Sequence, residues 1–247
     1  MHVAFSRTNH RPWPLPAGRW TWRQGWKDLL FAHYAVPRHM LVPLVPPELT
    51  IQEYDGSSWV GVVPFRMTGV MRRPFPDLPG VSAFPELNLR LYVERDGKPG
   101  VWFLSLDAAN PLAVWAARRF FHLPYHLAGI RIESRAASFR FVSRRSGGNR
   151  GVTFTADYGP AGPVFEAPPG SLEAFLTERY CLYARSPAGR LFRAEVHHLP
   201  WPLQPATGEV QAEALVAPHG LQLRGQAPLL HFSRGVDVVV WPLERLT

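Results

Sequence analysis

The chain of 247 residues carries one cysteine, Cys181, and two lysines, Lys27 and Lys98. A single thiol excludes an internal disulfide framework and a cysteine-based zinc site, and it fits a reducing compartment. With so little lysine, nearly all the positive charge is arginine: Lys and Arg total 27 against 19 Asp and Glu, a net charge of +8. The arginines are scattered, with short doublets at Arg72-Arg73, Arg118-Arg119 and Arg144-Arg145 and no basic tail or RNP-type motif. A solvated basic surface accounts for this charge, so no nucleic-acid partner is expected. No apolar run approaches the roughly 18–20 residues of a membrane-spanning helix. The start, MHVAFSRTNHRPWP, lacks the apolar stretch of a secretory signal. The expectation is a cytoplasmic protein with no membrane partner.

Signatures of common chemistries are missing as well. There is no G-x-G-x-x-G after a strand, no phosphate-cradling G-x-x-x-x-G-K-[ST], no H-E-x-x-H and no G-x-S-x-G. His197 and His198 are neighbours, so on a strand they point to opposite faces and cannot chelate one metal together. No metal and no cofactor are expected.

Turn formers are abundant: 26 prolines and 20 glycines punctuate a sequence that is 46% hydrophobic. That pattern favours many short strands over long helices. Residues 1–22, rich in Pro, Trp and Arg, read as an extended N-terminal arm. A strand over 27–36 leads to a short helix from Pro37 to the Pro46-Pro47 stop. Strands at 49–54 and 58–68 flank Asp55-Gly56, a hairpin signal. After a proline-rich loop over 70–84 come 85–93 and 101–107, joined through Asp96-Gly97. Asn110-Pro111 supplies an N-cap and a first-turn proline for a helix to about Phe121. Strands follow at 126–134, 136–145 and 151–158, then a helix capped by Ser171. A hairpin of 181–186 with 190–198 comes next, and the tail holds strands at 209–217, 221–225 and 235–243. The fold class is mainly β: a large antiparallel β-barrel with two or three flanking helices, in one domain of 1–247.

The stretch PELNLRLYV, residues 85–93, alternates strictly. Glu86, Asn88, Arg90 and Tyr92 share one face, and Leu87, Leu89, Leu91 and Val93 the other. A two-residue turn at Asp96-Gly97 pairs Tyr92 with Val101, Arg90 with Phe103, Asn88 with Ser105 and Glu86 with Asp107. A face mixing these polar groups with Phe and Val is too apolar for open solvent and too polar for a dry core. With helices covering the leucine face from outside, the Glu86 face points into an internal cavity, which a barrel of more than about eight strands can enclose. There Glu86 can act as acid or base and Arg90 can clamp an anion, or the two can form an ion pair across the pocket. Tyr125 and His126 offer a hydrogen-bond donor and a proton carrier, or two groups satisfied by nearby backbone. His197, His198 and Trp201 read as a packed loop or an aromatic rim. Trp20, Trp22 and Trp26 read as core or interface packing, and Cys181 as a small buried hydrophobe.

LVPLVPPELTIQEYDG (41–56), PELNLRLYV (85–93), FFHLPYHLA (120–128), FLTERYCLY (175–183) and HHLPWPL (197–203) together, in this order and spacing, resemble the YqjF-type branch of the acetoacetate decarboxylase-like superfamily. The resemblance covers about residues 26–243. It implies a large antiparallel barrel with flanking helices and a partly apolar internal pocket, and it carries the expectation of a homo-oligomer. The decarboxylases of that superfamily form an imine on the first lysine of a Pro-Lys-Lys motif. The matching stretch here is Pro124-Tyr125-His126, and a phenol cannot form an imine. A family glutamate near the amine matches Glu86, and a family arginine that holds the substrate carboxylate falls at about Lys27. Lys98, in the DGKPG turn, is expected to be exposed with an ordinary pKa, and Lys27 has no second lysine beside it to lower its own. The expectation is a small-molecule-binding protein without Schiff-base decarboxylase activity. Its pocket is lined by Glu86, Asn88, Arg90, Tyr125, His126 and Lys27, its ligand is an oxo acid or another organic anion, and no residue is assigned a catalytic role. The alternatives are a lyase, hydratase or isomerase using acid–base groups without an imine, and a structural or interaction protein with a vestigial pocket.

Overall fold

A computed structural model describes residues 2–77, 82–149, 151–223 and 225–247. Among the described residues, thirteen strands run in chain order as β1 (Trp22–Val36), β2 (Thr50–Ile51), β3 (Ser58–Arg72), β4 (Phe84–Arg95), β5 (Lys98–Ala108), β6 (Tyr125–Arg135), β7 (Ser138–Arg145), β8 (Thr153–Pro160), β9 (Cys181–Arg185), β10 (Leu191–His197), β11 (Leu203–Gln211), β12 (Leu229–Val240) and β13 (Glu244–Arg245). Four α-helices interrupt them among the described residues: α1 (Arg38–Leu41), α2 (Pro111–Phe121), α3 (Leu172–Thr177) and α4 (Glu213–Val216). The signals for α2 and α3 act as expected: the Asn110 side chain accepts from the Leu112 and Ala113 amides, and the Ser171 hydroxyl accepts from the Ala174 amide. No helix among the described residues is long and apolar enough to cross a membrane.

The strands form one sheet whose ladders close two rings rather than one simple barrel. One ring runs β12-β1-β3-β4-β5-β9-β10 and back to β12; the other shares β12-β1-β3-β4-β5 and returns through β6-β7-β8-β11. Most pairings are antiparallel, but β5 is parallel to both β6 and β9. The shared wall has an interior on each side, so both faces of β4 are buried. Leu87, Leu89, Leu91 and Val93 pack in a core with Phe139 and Phe141 of β7 and Phe154 of β8. The cover over the leucine face thus includes strands of the second ring, where helices were expected. Residues of α2 instead join the other core, in the first ring, where Val114 packs with Phe65, Leu106 and Val238.

Three local expectations change. Thr50–Ile51 pairs with β4, and only Tyr54 and Ser57 bridge across Asp55-Gly56, so the 49–54 and 58–68 segments are not a hairpin. The strand expected at 209–217 ends at Gln211, where β11 gives way to α4. Residues 221–223 are not a strand. Arg224, and residues 78–81 of the proline-rich loop, lie outside the described residues.

The N-terminal arm makes one 3-10 turn over Val3–Ser6 and stays irregular up to β1. Buried Arg11 pairs with Glu195 at 2.9 Å, and Trp13 Nε1 donates to the same carboxylate at 2.7 Å. Lys98 also pairs with Glu195, at 2.8 Å, which draws its ammonium into this contact and leaves the side chain only 28% exposed.

Candidate functional site

Inside the first ring lies a cavity of about 180 Å³. Its polar wall is the Glu86, Asn88 and Arg90 row of β4, because side chains two apart share a face. Tyr125, at the start of β6, joins them. The remaining wall is mostly apolar, including Trp26, Phe65, Phe103 and Trp201, with α2 contributing Ala113, Ala117 and Phe121.

Two ends of this wall differ. At one, the Tyr125 hydroxyl donates to Glu86 Oε2 at 2.9 Å. Burial raises the Glu86 carboxyl to about 8, although the bond from Tyr125 opposes the rise. Burial also pushes the Tyr125 phenol well above its ordinary value. Both groups are therefore predominantly neutral at pH 7. At the other end Arg90 donates to the Tyr92 hydroxyl at 3.3 Å and the Leu176 carbonyl at 3.1 Å. Arg179, which no motif singled out, lies beside it. Its guanidinium sits over the rings of Tyr92 and Phe175, and burial lowers its pKa to about 10. Neither arginine meets a carboxylate among the described residues. Arg179 Nη2 and Asn88 Oδ1 are buried without a hydrogen-bond partner. Arg179 lies just beyond Glu178, the C-cap of α3, and only the closing of the ring brings it to β4; no sequence signal links the two.

Two candidates stand outside this wall. Lys27 makes a long ion pair with Asp237, at 3.9 Å, on the outer face. In β1, Trp22, Gln24 and Trp26 line the cavity. Asp28 then adopts φ +54°, the ladder to β3 slips by one residue, and Leu29 takes up the inward direction. Lys27 falls between two inward positions and points away. His126 follows inward Tyr125 and so faces the other side of β6. Burial, with Arg145 and Arg118 nearby, lowers its pKa to about 4. His198 and Trp201 line the cavity, with Trp201 Nε1 donating to the Thr177 carbonyl at 3.0 Å. His197 turns instead to the N-terminal arm and meets the Ala4 carbonyl at 2.7 Å. The Cys181 side chain packs in the leucine-face core, and burial raises its pKa to about 12.

The hairpin register holds at Tyr92–Val101 and Arg90–Phe103 and then slips. Leu104 is an extra residue in β5, so Ser105 pairs with Leu89 and Asp107 with Leu87. Ser105 and Asp107 therefore leave the cavity face. They meet Arg145 behind it, whose Nε lies 2.7 Å from Asp107 and whose Nη2 lies 2.6 Å from Ser105.

The comparisons agree with this architecture. In a solved structure of acetoacetate decarboxylase from Legionella pneumophila the similarity covers 96% of this chain and 93% of that one, with a TM-score of 0.61 and 15% identity. The enduracididine biosynthesis enzyme MppR, solved with the condensation product of pyruvate and imidazole 4-carboxaldehyde, gives a TM-score of 0.67 at 15% identity, over 92% of this chain and 89% of that one. At such identities the likeness is one of fold. Sequence similarity reaches further. "Uncharacterized protein YqjF" of Bacillus subtilis (strain 168) is 42% identical over 231 residues, spanning 94% of this chain and 95% of that protein. The model of the DUF2071 family, described as "Uncharacterized conserved protein", matches residues 23–237. The chain belongs to the DUF2071 family and has an acetoacetate decarboxylase-like fold.

Proposed function

We propose that the inner cavity binds a small organic anion, such as an oxo acid, and that the protein does so without forming an imine. One observation carries this reading: Arg90 and Arg179 are both buried in one cavity wall, and neither has a carboxylate partner among the described residues. A buried cation without a counter-charge is costly. A carboxylate supplies that charge and matches the planar guanidinium fork. MppR, which shares the fold, has been solved complexed with pyruvate, and this supports an oxo acid. The placement of the lysines supports the absence of imine chemistry. Lys27 is on the outer face and Lys98 is held by Glu195.

A second reading rests on the neutral Glu86–Tyr125 pair. A carboxyl held near about 8 can give or take a proton close to neutral pH, as a lyase, hydratase or isomerase acting on the bound anion requires.

Thermal melting in millimolar pyruvate, phenylpyruvate and benzoate, with acetone as a neutral control, tests the binding reading. Carboxylates are expected to raise the melting temperature of the native protein and not that of Arg90→Met/Arg179→Met, because a ligand stabilises only the state it binds. No rise with any carboxylate, or an equal rise in the double variant, overturns it and leaves a vestigial pocket. Borohydride treatment with pyruvate is expected to leave the protein mass unchanged. A trapped adduct on Lys27 or Lys98 overturns the second half of the proposal.

A further inference from the structure

The ladders leave two gaps in the strand part of the cavity wall. One edge of β5 is paired with β4 along its length. The other edge is shared in turn: Val101 and Trp102 pair with β9, and Leu106, Asp107 and Ala108 pair with β6. Between these pairings Phe103, Leu104 and Ser105 have no partner strand on that edge among the described residues. Three residues of strand span about 10 Å. This is the fork at which the two rings part, and side chains rather than backbone ladder close the wall there.

A groove of about 670 Å³ lies outside this fork. The Pro43–Pro47 stretch, Trp102, Leu104, His122, Arg185 and Pro187 contribute to its walls, and exposed Pro43, Pro47, Pro124 and Arg185 open it to solvent. Phe103 and Leu123 line both this groove and the inner cavity. They are the partition between the two. The backbone is irregular on both sides of it: Leu104 is the bulge residue of β5, and His122 ends α2 at φ +54° before Leu123 and Pro124. Leu123-Pro124 leads directly into Tyr125, so the partition adjoins the Glu86–Tyr125 end of the cavity.

The rings part a second time on β12. Ser233 pairs with β11, and Val239 with β10. Residues 198–202 run between those two strands, and they place the indole of Trp201 in the wall, 1% exposed and stacked on Trp26 at 6.0 Å. Its Nε1 and its backbone amide both donate hydrogen bonds, to the Thr177 carbonyl and Glu178. One fork is thus plugged by a hydrogen-bonded indole, and the other by two apolar side chains that can change rotamer without breaking a polar contact.

We propose that the groove is the vestibule of the inner cavity and that Phe103 and Leu123 are the gate through which small molecules pass. The proposal takes from the preceding section only that the cavity is a ligand chamber.

Its test does not depend on which ligand binds. With Cys181→Ala removing the native thiol, Val196→Cys places one inside the cavity, where Val196 is 4% exposed. The rate of its modification by methyl methanethiosulfonate, followed by mass spectrometry, then reads passage through the wall. Leu123→Ala or Phe103→Leu is expected to raise that rate about tenfold, and Leu123→Trp to lower it about as much. Val238→Ala loosens the same core without lining either the cavity or the groove, so it measures what lost stability alone does. An equal acceleration in Val238→Ala, or an unchanged rate in Leu123→Trp, overturns the gate. Neither result bears on the carboxylate response at Arg90 and Arg179, so the two proposals fail separately.

Discussion

Two buried polar groups stand back to back across the β4–β5 wall, and they are built on opposite principles. Behind the wall, Asp107, Arg145, Ser105 and Ser143 satisfy one another, and the ion-paired side chains are each 2% exposed. Inside the cavity, neither Arg90 nor Arg179 makes an ion pair among the described residues, and Asn88 keeps an unpartnered carbonyl oxygen. A closed network of this kind holds strands together. An open one is poorly suited to stability, because each unmatched group keeps its desolvation cost, and it is well suited to receiving a ligand. The contrast separates groups that hold the wall from groups free to bind.

The contrast can be broken in order of expected effect. Arg145→Met strands Asp107 without its partner and is expected to cost about 3–5 kcal/mol in urea unfolding. Arg90→Met removes a buried charge that had no ion pair, and is expected to stay within about 1 kcal/mol of the native protein. Equal losses would mean that the cavity arginine is structural after all. Tyr125→Phe takes the hydroxyl from Glu86 and is expected to cost about 1–2 kcal/mol, measured in the same way.

A pH dependence follows from Glu86, read as a slope across pH rather than as a fixed loss. Glu86 is held protonated to about 8 in the folded protein, against an ordinary value of 4.5. The unfolded chain releases this proton first, so the stabilisation from Glu86 is complete below about 4.5 and is lost as pH rises through about 8. Glu86→Gln cannot titrate. Its melting temperature relative to the native protein is expected to rise between pH 5 and pH 9. A constant difference would mean that Glu86 is already ionised in the fold.

Much of this was legible in order along the chain. The alternation of PELNLRLYV identified which side chains share a face, and Asp96-Gly97 set the first two cross-strand pairs. Asn110-Pro111 and Ser171 marked helix starts through local hydrogen bonds. The failures have two causes. Leu104 adds one residue to the β4–β5 ladder and carries no composition signal that distinguishes it from an ordinary strand residue, and the slip removes Asp107 from the cavity face. Lys27, placed by resemblance, and His126 each follow an inward residue, Trp26 and Tyr125, and so face away by ordinary alternation.

The sequence by itself determined the strand-rich architecture, the polar row of β4 and the absence of an amine at Tyr125, because these depend on residue type and short-range periodicity. Only the tertiary structure decided that β4 would have an interior on both sides, that Arg179 would meet Arg90, and that Phe103 and Leu123 would close a fork. Those facts depend on which strands pair after ring closure, and ladder pairing joins segments too far apart in the chain for local pattern to specify.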